Sequence, residues 1–272
     1  MPDFEALKSK WQDSEWQQRA SLAMEMGKLG LPEAEMFLCG ILDREETYFV
    51  RGFAALSLSN AKRKETVQIL SSKLNKNAIF QCDSSEFVRA CCAQALGANA
   101  EGITRMGQET RETALFSLRK ALEDEPSVVE KALPALGMLG DRQSLGKMYK
   151  ATQEKLVTME GKPDFCPLAI AMCAMGITEP HAVAVYTYVL EKSMDMEAVE
   201  KVLEKAENFL RDEPKIDVDG KFSSAIRVCR RKVEFSRLAK SKSESFVDSV
   251  IGRVGTPIYR ESKVPPPIPN KR

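Results

Sequence analysis

The chain has 272 residues, of which 43% are hydrophobic and 29% are charged, and its formal net charge is +1. This composition is typical of a soluble globular protein with a sizeable core. Because the charges balance, we do not expect the molecule as a whole to attract nucleic acid or membranes. No apolar run approaches the roughly 18 uninterrupted residues of a spanning helix, and the N-terminus lacks a secretory signal pattern. We therefore expect no membrane span and a cytoplasmic location.

Five helix-sized apolar segments recur along the chain. They occupy residues 19–27, 51–59, 89–97, 129–137 and 168–176, and their last positions are 32, 38, 40 and 39 residues apart. A short break and a second apolar segment follow each of them, over residues 33–42, 64–74, 111–122, 142–151 and 180–190. Periods of this size predict stacked helical pairs, in which a first and a second helix alternate.

Glycine ends four of the five first segments. Gly27, Gly97, Gly137 and Gly176 lie where the apolar pattern stops. Glycine tolerates the left-handed conformation in which many helices end. We therefore interpret these glycines as helix ends.

The C-terminal part differs from the repeats in composition and charge. The apolar pattern of residues 195–238 predicts helices that cap the last pair. We therefore expect the solenoid, with these capping helices, to occupy residues 1–240. Residues 241–272 predict a basic, flexible, extended tail that contains proline. Residues 221–272 hold 13 basic and 4 acidic side chains, whereas residues 1–220 hold 27 and 35. The two parts therefore carry opposite net charges.

Two of the first segments carry a recognisable sequence signature. Residues 49–58 read FVRGFAALSL and residues 87–97 read FVRACCAQALG. They resemble the HEAT-like repeat, in particular the short variety of the phycobilisome lyases, in which Val-Arg opens the first helix and Ala-Leu-Gly closes it. The resemblance covers about residues 14–190. It implies an all-α fold, an alpha-alpha superhelix of about five helical hairpins followed by the capping helices.

The resemblance also gives a role to a repeated arginine. In the family this residue braces an acidic residue of a neighbouring turn. Arg19, Arg51 and Arg89 occupy the position in the first three copies, whereas the fourth and fifth carry Val129 and Leu168. The implied ladder of salt bridges should therefore stop after the third repeat.

Residues that support catalysis are scarce. The HEAT-like deoxyhypusine hydroxylases need several His-Glu pairs to hold two irons, and this chain has one histidine, His181. A Ser-His-Asp or Cys-His mechanism would also depend on His181. Seven cysteines without a Cys-x-x-Cys spacing indicate reduced, buried thiols. We expect no metal, no cofactor and no catalytic residue, and therefore a protein that is not an enzyme.

The leading hypothesis is a scaffold or adaptor that binds a protein partner on the surface of the solenoid. The second helices should line a concave face, where Glu35, Gln68 and Lys73 are candidate contacts. The loop at 98–110, which is longer than its counterparts in the first two repeats, and the loop at 152–164 are further candidates. At the C-terminal end the candidates are basic and proline residues, namely Arg227, Arg230, Arg231, Lys232, Pro265, Pro266 and Pro267.

Two other functions stay open at this point. The resemblance to bilin lyases raises a lyase or assembly-factor subunit for a chromophore-bearing protein. The basic C-terminal region raises nucleic-acid binding, which the acidic repeat body makes less favoured than a protein partner. The oligomeric state is left open by the sequence.

Overall fold

The computed structural model describes residues 3–75, 82–193, 196–212, 217 and 220–234. Within these residues the helices are α1 (Phe4–Gln12), α2 (Trp16–Leu29), α3 (Pro32–Arg44), α4 (Tyr48–Ser57), α5 (Lys64–Leu74), α6 (Glu86–Ala98), α7 (Ala100–Met106), α8 (Gln108–Ala121), α9 (Pro126–Met138), α10 (Leu145–Lys155), α11 (Cys166–Ala174), α12 (Pro180–Lys192) and α13 (Met196–Asp212). Residues 221–234 are also helical, and the described part of the chain contains no β-strand. The predicted all-α fold is confirmed.

The helices pack in two layers. The first helices α2, α4, α6, α9 and α11 each pack beside the next, and the second helices α3, α5 and α8 pack beside one another in the other layer. This arrangement is the predicted alpha-alpha superhelix, and it is compatible with a HEAT-like repeat. The chain divides into two compact units, Met1–Cys229 and Arg230–Arg272, and the repeats lie in the first. None of the helices in the described residues is long and apolar enough to cross a membrane.

Helix α1 covers the start of the stack. Its residues Phe4, Leu7 and Trp11 are buried, and the rings of Phe4 and Trp11 meet Phe37 of α3 edge-on at 6.0 and 5.6 Å between centroids. The repeat pattern does not predict this helix, because the helix precedes the first copy and shares none of its pattern.

At the other end, α13 packs beside α11 in the position of a sixth first helix. Tyr186 of α12 is buried among aromatic rings, with centroids 5.9 Å from Phe209 and 6.4 Å from Phe222. Its hydroxyl donates to the carbonyl of Ile177 at 2.7 Å, and burial raises its pKa far above the usual value. Helix α13 thus extends the stack beyond the fifth pair.

A ladder of ion pairs links successive first helices. Arg51 donates through Nε and Nη2 to the Asp83 carboxylate at 2.6 and 2.9 Å. Arg89 repeats this geometry with Asp124 at 2.7 and 2.8 Å. The third guanidinium nitrogen, Nη1, reaches backwards: that of Arg89 donates to the Asp83 carbonyl at 2.9 Å. Asp83 is therefore shared, since its carboxylate binds one arginine and its carbonyl the next.

The first rung of the ladder is weaker, and the ladder then ends as the sequence pattern predicts. Arg19 makes a single bond of 3.3 Å to the carboxylate of Glu45, whose carbonyl accepts from Arg51 at 2.7 Å. In the fourth and fifth copies the position holds Val129 and Leu168, which are fully buried. Packing of apolar side chains replaces the ion pairs from there onward.

The glycines of the first helices have a different role from the predicted one. Gly27, Gly97 and Gly137 lie inside α2, α6 and α9, and none of them has a positive φ. A Cβ added to Gly97 would lie 2.7 Å from the Cβ of Ala135 on α9, closer than side-chain atoms approach. These three glycines therefore let neighbouring first helices approach closely. Gly176, with φ 64°, is the one of the four that ends its helix in the left-handed region.

The segment predicted as a long loop at 98–110 is mostly helical. Residues Ala100–Met106 form α7, and α8 begins at Gln108. Ile103 is fully buried, and the side chain of Asn99 donates to the carbonyl of Ala61 at 3.0 Å. These two anchors fix the segment against the preceding repeat. Its glycines, Gly102 and Gly107, are the reason that the sequence pattern predicted a loop.

Candidate binding surface

The C-terminal half of the repeat stack carries an apolar groove between α10, α11 and α12. Arg142 donates to the carbonyl of Met175 at 2.7 Å, which ties the turn before α10 to the end of α11. The amide of Asp164 donates to the carbonyl of Leu156 at 2.7 Å, so the connection between α10 and α11 folds back on itself. This connection delivers Phe165 to the edge of α10.

The groove has a volume of about 510 Å³ and an apolar lining. Buried Met172 and Val185 form part of its wall. The ring of Phe165 lies between two tyrosines, 5.6 Å from that of Tyr149 and 5.5 Å from that of Tyr188. Three aromatic rings, from α10, from the residue before α11 and from α12, thus border one concave, apolar surface.

The tyrosines give this surface its polar groups. Tyr149 is 41% exposed, and neither its hydroxyl nor that of Tyr188 is bonded to any residue that the structure describes. Tyrosine combines a large apolar ring with a hydroxyl that both donates and accepts hydrogen bonds. The two side chains can therefore bind a ligand through rings and hydroxyls together.

A second, polar groove lies between α3 and α5 in the N-terminal half. It has a volume of about 540 Å³ and is lined in part by Asp43, Gln68 and Lys73. Lys73 bridges the groove to Asp43 at 2.8 Å. This hydrogen bond holds the pKa of the Asp43 carboxyl below its usual range, against a smaller opposing effect of burial. Gln68 is exposed, and its side chain makes no hydrogen bond within the described residues.

Glu35 has structural partners. Its carboxylate accepts from the backbone amides of Lys62 and Arg63, each at 3.2 Å, and from the hydroxyl of Thr66. These bonds hold the chain where it enters α5. Of the three candidates on the second helices, Gln68 alone presents polar groups that no neighbour occupies.

The remaining candidates lie towards the C-terminus. Arg227, Arg230, Arg231 and Lys232 are exposed in the helical stretch 221–234. Pro265, Pro266 and Pro267, like the whole predicted tail 241–272, lie outside the described residues. Of the two predicted contact loops, 152–164 holds the connection that carries Phe165 into the apolar groove.

The cysteines are free, and five of the seven are buried. Burial raises the pKa of the Cys91 thiol to about 11 and that of Cys173 to about 12. It also raises the pKa of Cys92 well above its usual value. These thiols are therefore protonated at neutral pH and serve as small packing residues.

Among the described residues, no group of three or more His, Cys, Asp or Glu side chains could hold a metal ion. His181 lies near the start of α12.

Tyr149, Phe165 and Tyr188 were not predicted as site residues. Tyr149 and Tyr188 lie in two different second helices and Phe165 lies directly before α11, so the sequence does not show that the three rings meet. A signal was present in α12, where Tyr186 and Tyr188 stand two residues apart and therefore point in different directions on a helix. The first is buried and the second faces the groove.

Comparison with known proteins adds one structural likeness. No family model and no curated protein matches the sequence. Among solved structures, human deoxyhypusine hydroxylase in complex with glycerol is similar, with 17% sequence identity and a TM-score of 0.32. The match covers 85% of this chain and 84% of that one.

This likeness corrects one expectation from the sequence. The chain was expected not to be an enzyme, and the similar structure is that of an enzyme. The expectation was therefore wrong as an inference from a repeat fold, since a fold of this class also carries enzymes. At this identity and TM-score, the likeness brings no activity to this chain.

Proposed function

We propose that this chain binds a segment of a partner protein on the face formed by its second helices. The apolar groove bordered by Tyr149, Phe165 and Tyr188 is the observation that carries the proposal. Contiguous apolar surface at the rim of a concave site favours association with another apolar surface. Aromatic anchors of this kind contribute most of the binding energy in many protein interfaces.

The groove also indicates what the bound segment must offer. Its wall is apolar, so the segment should insert one or more large apolar side chains. The hydroxyls of Tyr149 and Tyr188 stand at the rim, so the same segment should place backbone carbonyls or polar side chains near them. A linear peptide or an amphipathic helix meets both demands.

A glycine in α10 supports close approach by such a segment. Gly146 lines the groove and is exposed, and a Cβ added to it would have no neighbouring atom within 4 Å. A glycine inside a helix lowers helix stability by about 0.5–1 kcal/mol relative to alanine. No packing among the described residues requires this glycine, whereas a bound backbone would benefit from the open space.

The polar groove is proposed as a secondary part of the same face. The side-chain amide of Gln68 is available for hydrogen bonds to a ligand. Exposed Phe116 on α8 and Gln68 together line a neighbouring shallow groove. Lys73 and Asp43 would need to exchange their mutual bond for bonds to a ligand. We expect this region to contribute specificity more than affinity.

A matched pair of variants tests the proposal. Gly146→Gln fills the apolar groove, whereas Ser21→Gln places the same side chain at an exposed position of α2 that lines neither groove. We expect proteins captured from native cell extract by the wild type to be retained by Ser21→Gln and reduced at least tenfold with Gly146→Gln. A photo-crosslinker placed at exposed Ala184, in the groove, should attach to the same proteins. Equal capture by all three forms, or capture by none, would contradict a role for the groove.

A further inference from the structure

A row of aromatic rings crosses the N-terminal ends of three consecutive first helices. Trp16 of α2 stacks on Phe49 of α4 with centroids 5.6 Å apart and planes 22° from parallel. Phe49 lies 5.3 Å from Phe87 of α6, and Tyr48 stacks on Phe49 at 4.4 Å. We call Trp16, Tyr48, Phe49 and Phe87 the aromatic ridge.

Three of the four members of the ridge are exposed although they are large and aromatic, and Phe87 is half-buried. Trp16 and Tyr48 are each 44% exposed, and Phe49 is 37% exposed. Single exposed apolar residues are common on protein surfaces, but a contiguous set marks an interaction surface. These rings meet one another across three repeats, so they form such a set.

The ridge is held rigidly by the residues beneath it. Phe87 lies against Gly52 of α4, where any Cβ would overlap its ring. Arg51 and Arg89, two residues after Phe49 and Phe87, are fixed by their bonds to Asp83 and Asp124. A preorganised surface loses little conformational freedom when it binds.

Acidic side chains accompany the rings. Glu15 precedes Trp16, Glu46 lies two residues before Tyr48, and Glu86 precedes Phe87, and all three are exposed. None of these carboxylates forms an ion pair or a hydrogen bond with a described residue, whereas the ladder arginines are neutralised by their own partners. The helix dipole accounts for acids at these positions, but not for the exposed rings beside them. The ridge therefore combines aromatic faces with uncompensated negative charge.

We propose that the aromatic ridge binds an arginine-containing linear segment of a partner protein. A guanidinium stacks on an aromatic face and also pairs with a carboxylate, so arginine matches both features of the ridge. In an extended peptide, side chains two residues apart lie about 6.5–7 Å apart on one side. Arginines at alternate positions would therefore fall near successive rings. This surface is formed by other elements than the apolar groove, so either proposal can fail alone.

The test uses the full-length chain and a fluorescent peptide with arginine at three alternate positions, separated by threonine. In low salt we expect saturable binding by fluorescence anisotropy. Trp16→Ser with Phe49→Ser should weaken binding at least tenfold. The triple variant Glu15→Gln, Glu46→Gln, Glu86→Gln should do the same while circular dichroism and melting temperature show an intact fold.

Matched controls separate the ridge from general charge attraction. The triple variant Glu33→Gln, Glu109→Gln, Glu123→Gln makes the same change in net charge at exposed acids elsewhere, and it should bind the peptide as the wild type does. A peptide with citrulline in place of arginine should bind at least tenfold more weakly. Absence of binding, equal weakening by both triple variants, or equal binding of the citrulline peptide would overturn the proposal.

Discussion

At the scale of single residues, the arginine ladder combines similar chemistry with different degrees of burial. The side chains of Arg89 and Asp124 are 5% and 2% exposed, whereas those of Arg19 and Glu45 are 30% and 12% exposed. A buried ion pair adds little net stability over an apolar pair, but removal of one partner leaves an uncompensated buried charge. Substitution of a ladder arginine should therefore lower the free energy of unfolding more where its ion pair is more deeply buried.

We expect Arg89→Met to lower the free energy of unfolding by about 3–5 kcal/mol, because the Asp124 carboxylate stays buried without the guanidinium that neutralises it. Arg19→Met should cost about 1 kcal/mol or less, since its pair is partly exposed. Urea unfolding followed by circular dichroism measures both values. Adding Asp124→Leu to Arg89→Met should recover part of the loss. Similar losses for the two single variants would show that burial does not govern the ladder.

A second prediction at this scale concerns acid sensitivity. Burial raises the pKa of Asp141, but hydrogen bonds from Arg119 and Ser144 outweigh it and hold that pKa below the usual 3.8. A carboxyl whose pKa is depressed in the folded state stabilises the fold above its unfolded pKa, and the contribution disappears as the pH falls through the folded value. The stability difference between the wild type and Asp141→Asn should therefore be largest near pH 7 and shrink below about pH 4. Urea midpoints at pH 7, 5 and 3.5 test this, and a difference that grows in acid would contradict it.

At the scale of helices, the structure depends on how closely neighbouring first helices approach. Gly97 of α6 faces Ala135 of α9, and a Cβ there would overlap with it. Gly40, in the middle of α3, has open space around the same position. The same chemical change at these two glycines should therefore have opposite effects.

We expect Gly97→Ala to destabilise the protein by about 1–3 kcal/mol, because α6 and α9 must move apart. Gly40→Ala should stabilise it by up to about 1 kcal/mol, because alanine favours the helix and meets nothing. Thermal unfolding of the two variants beside the wild type gives the comparison. If Gly97→Ala were neutral, the close approach of these helices would not be a determinant of stability.

The helix scale also shows how far the sequence determined the result. The period of the repeat was sufficient to predict the layers, and α5 begins and ends at the predicted residues 64 and 74. The role of Gly97 was not predicted, because the sequence alone does not distinguish a glycine that ends a helix from a glycine at the crossing of two helices. The groove around Phe165 was not predicted either, since three distant segments meet there only after stacking.

At the scale of the whole molecule, each helical pair of the first unit is supported by the pairs on either side. In such stacks, stability is approximately a sum of contributions from each repeat and each interface. Helix α6 packs between α4 and α9 and is buried along most of its length. Helix α1 packs chiefly on α2. Local opening should therefore start at the ends.

Hydrogen exchange can test this expectation directly. We expect backbone amides of α6 and α9 to exchange slowest, and those of α1 to exchange at least tenfold faster under native conditions. Peptide-resolved mass spectrometry gives the rates. Leu7→Ala should accelerate exchange in α1 and α2 while leaving α9 unchanged. Uniform protection from α1 to α9 would indicate a single cooperative unit instead.

The shared acidic residues of the ladder give two junctions the same polar pattern. Glu45 and Asp83 each give a carboxylate to the preceding arginine and a carbonyl to the following one, although Arg19 makes one bond to Glu45 and Arg51 makes two to Asp83. From Val129 onward the position holds apolar side chains instead. The polar bonds between first helices are therefore a property of the N-terminal half, and the half that holds the apolar groove is joined at this position by packing alone.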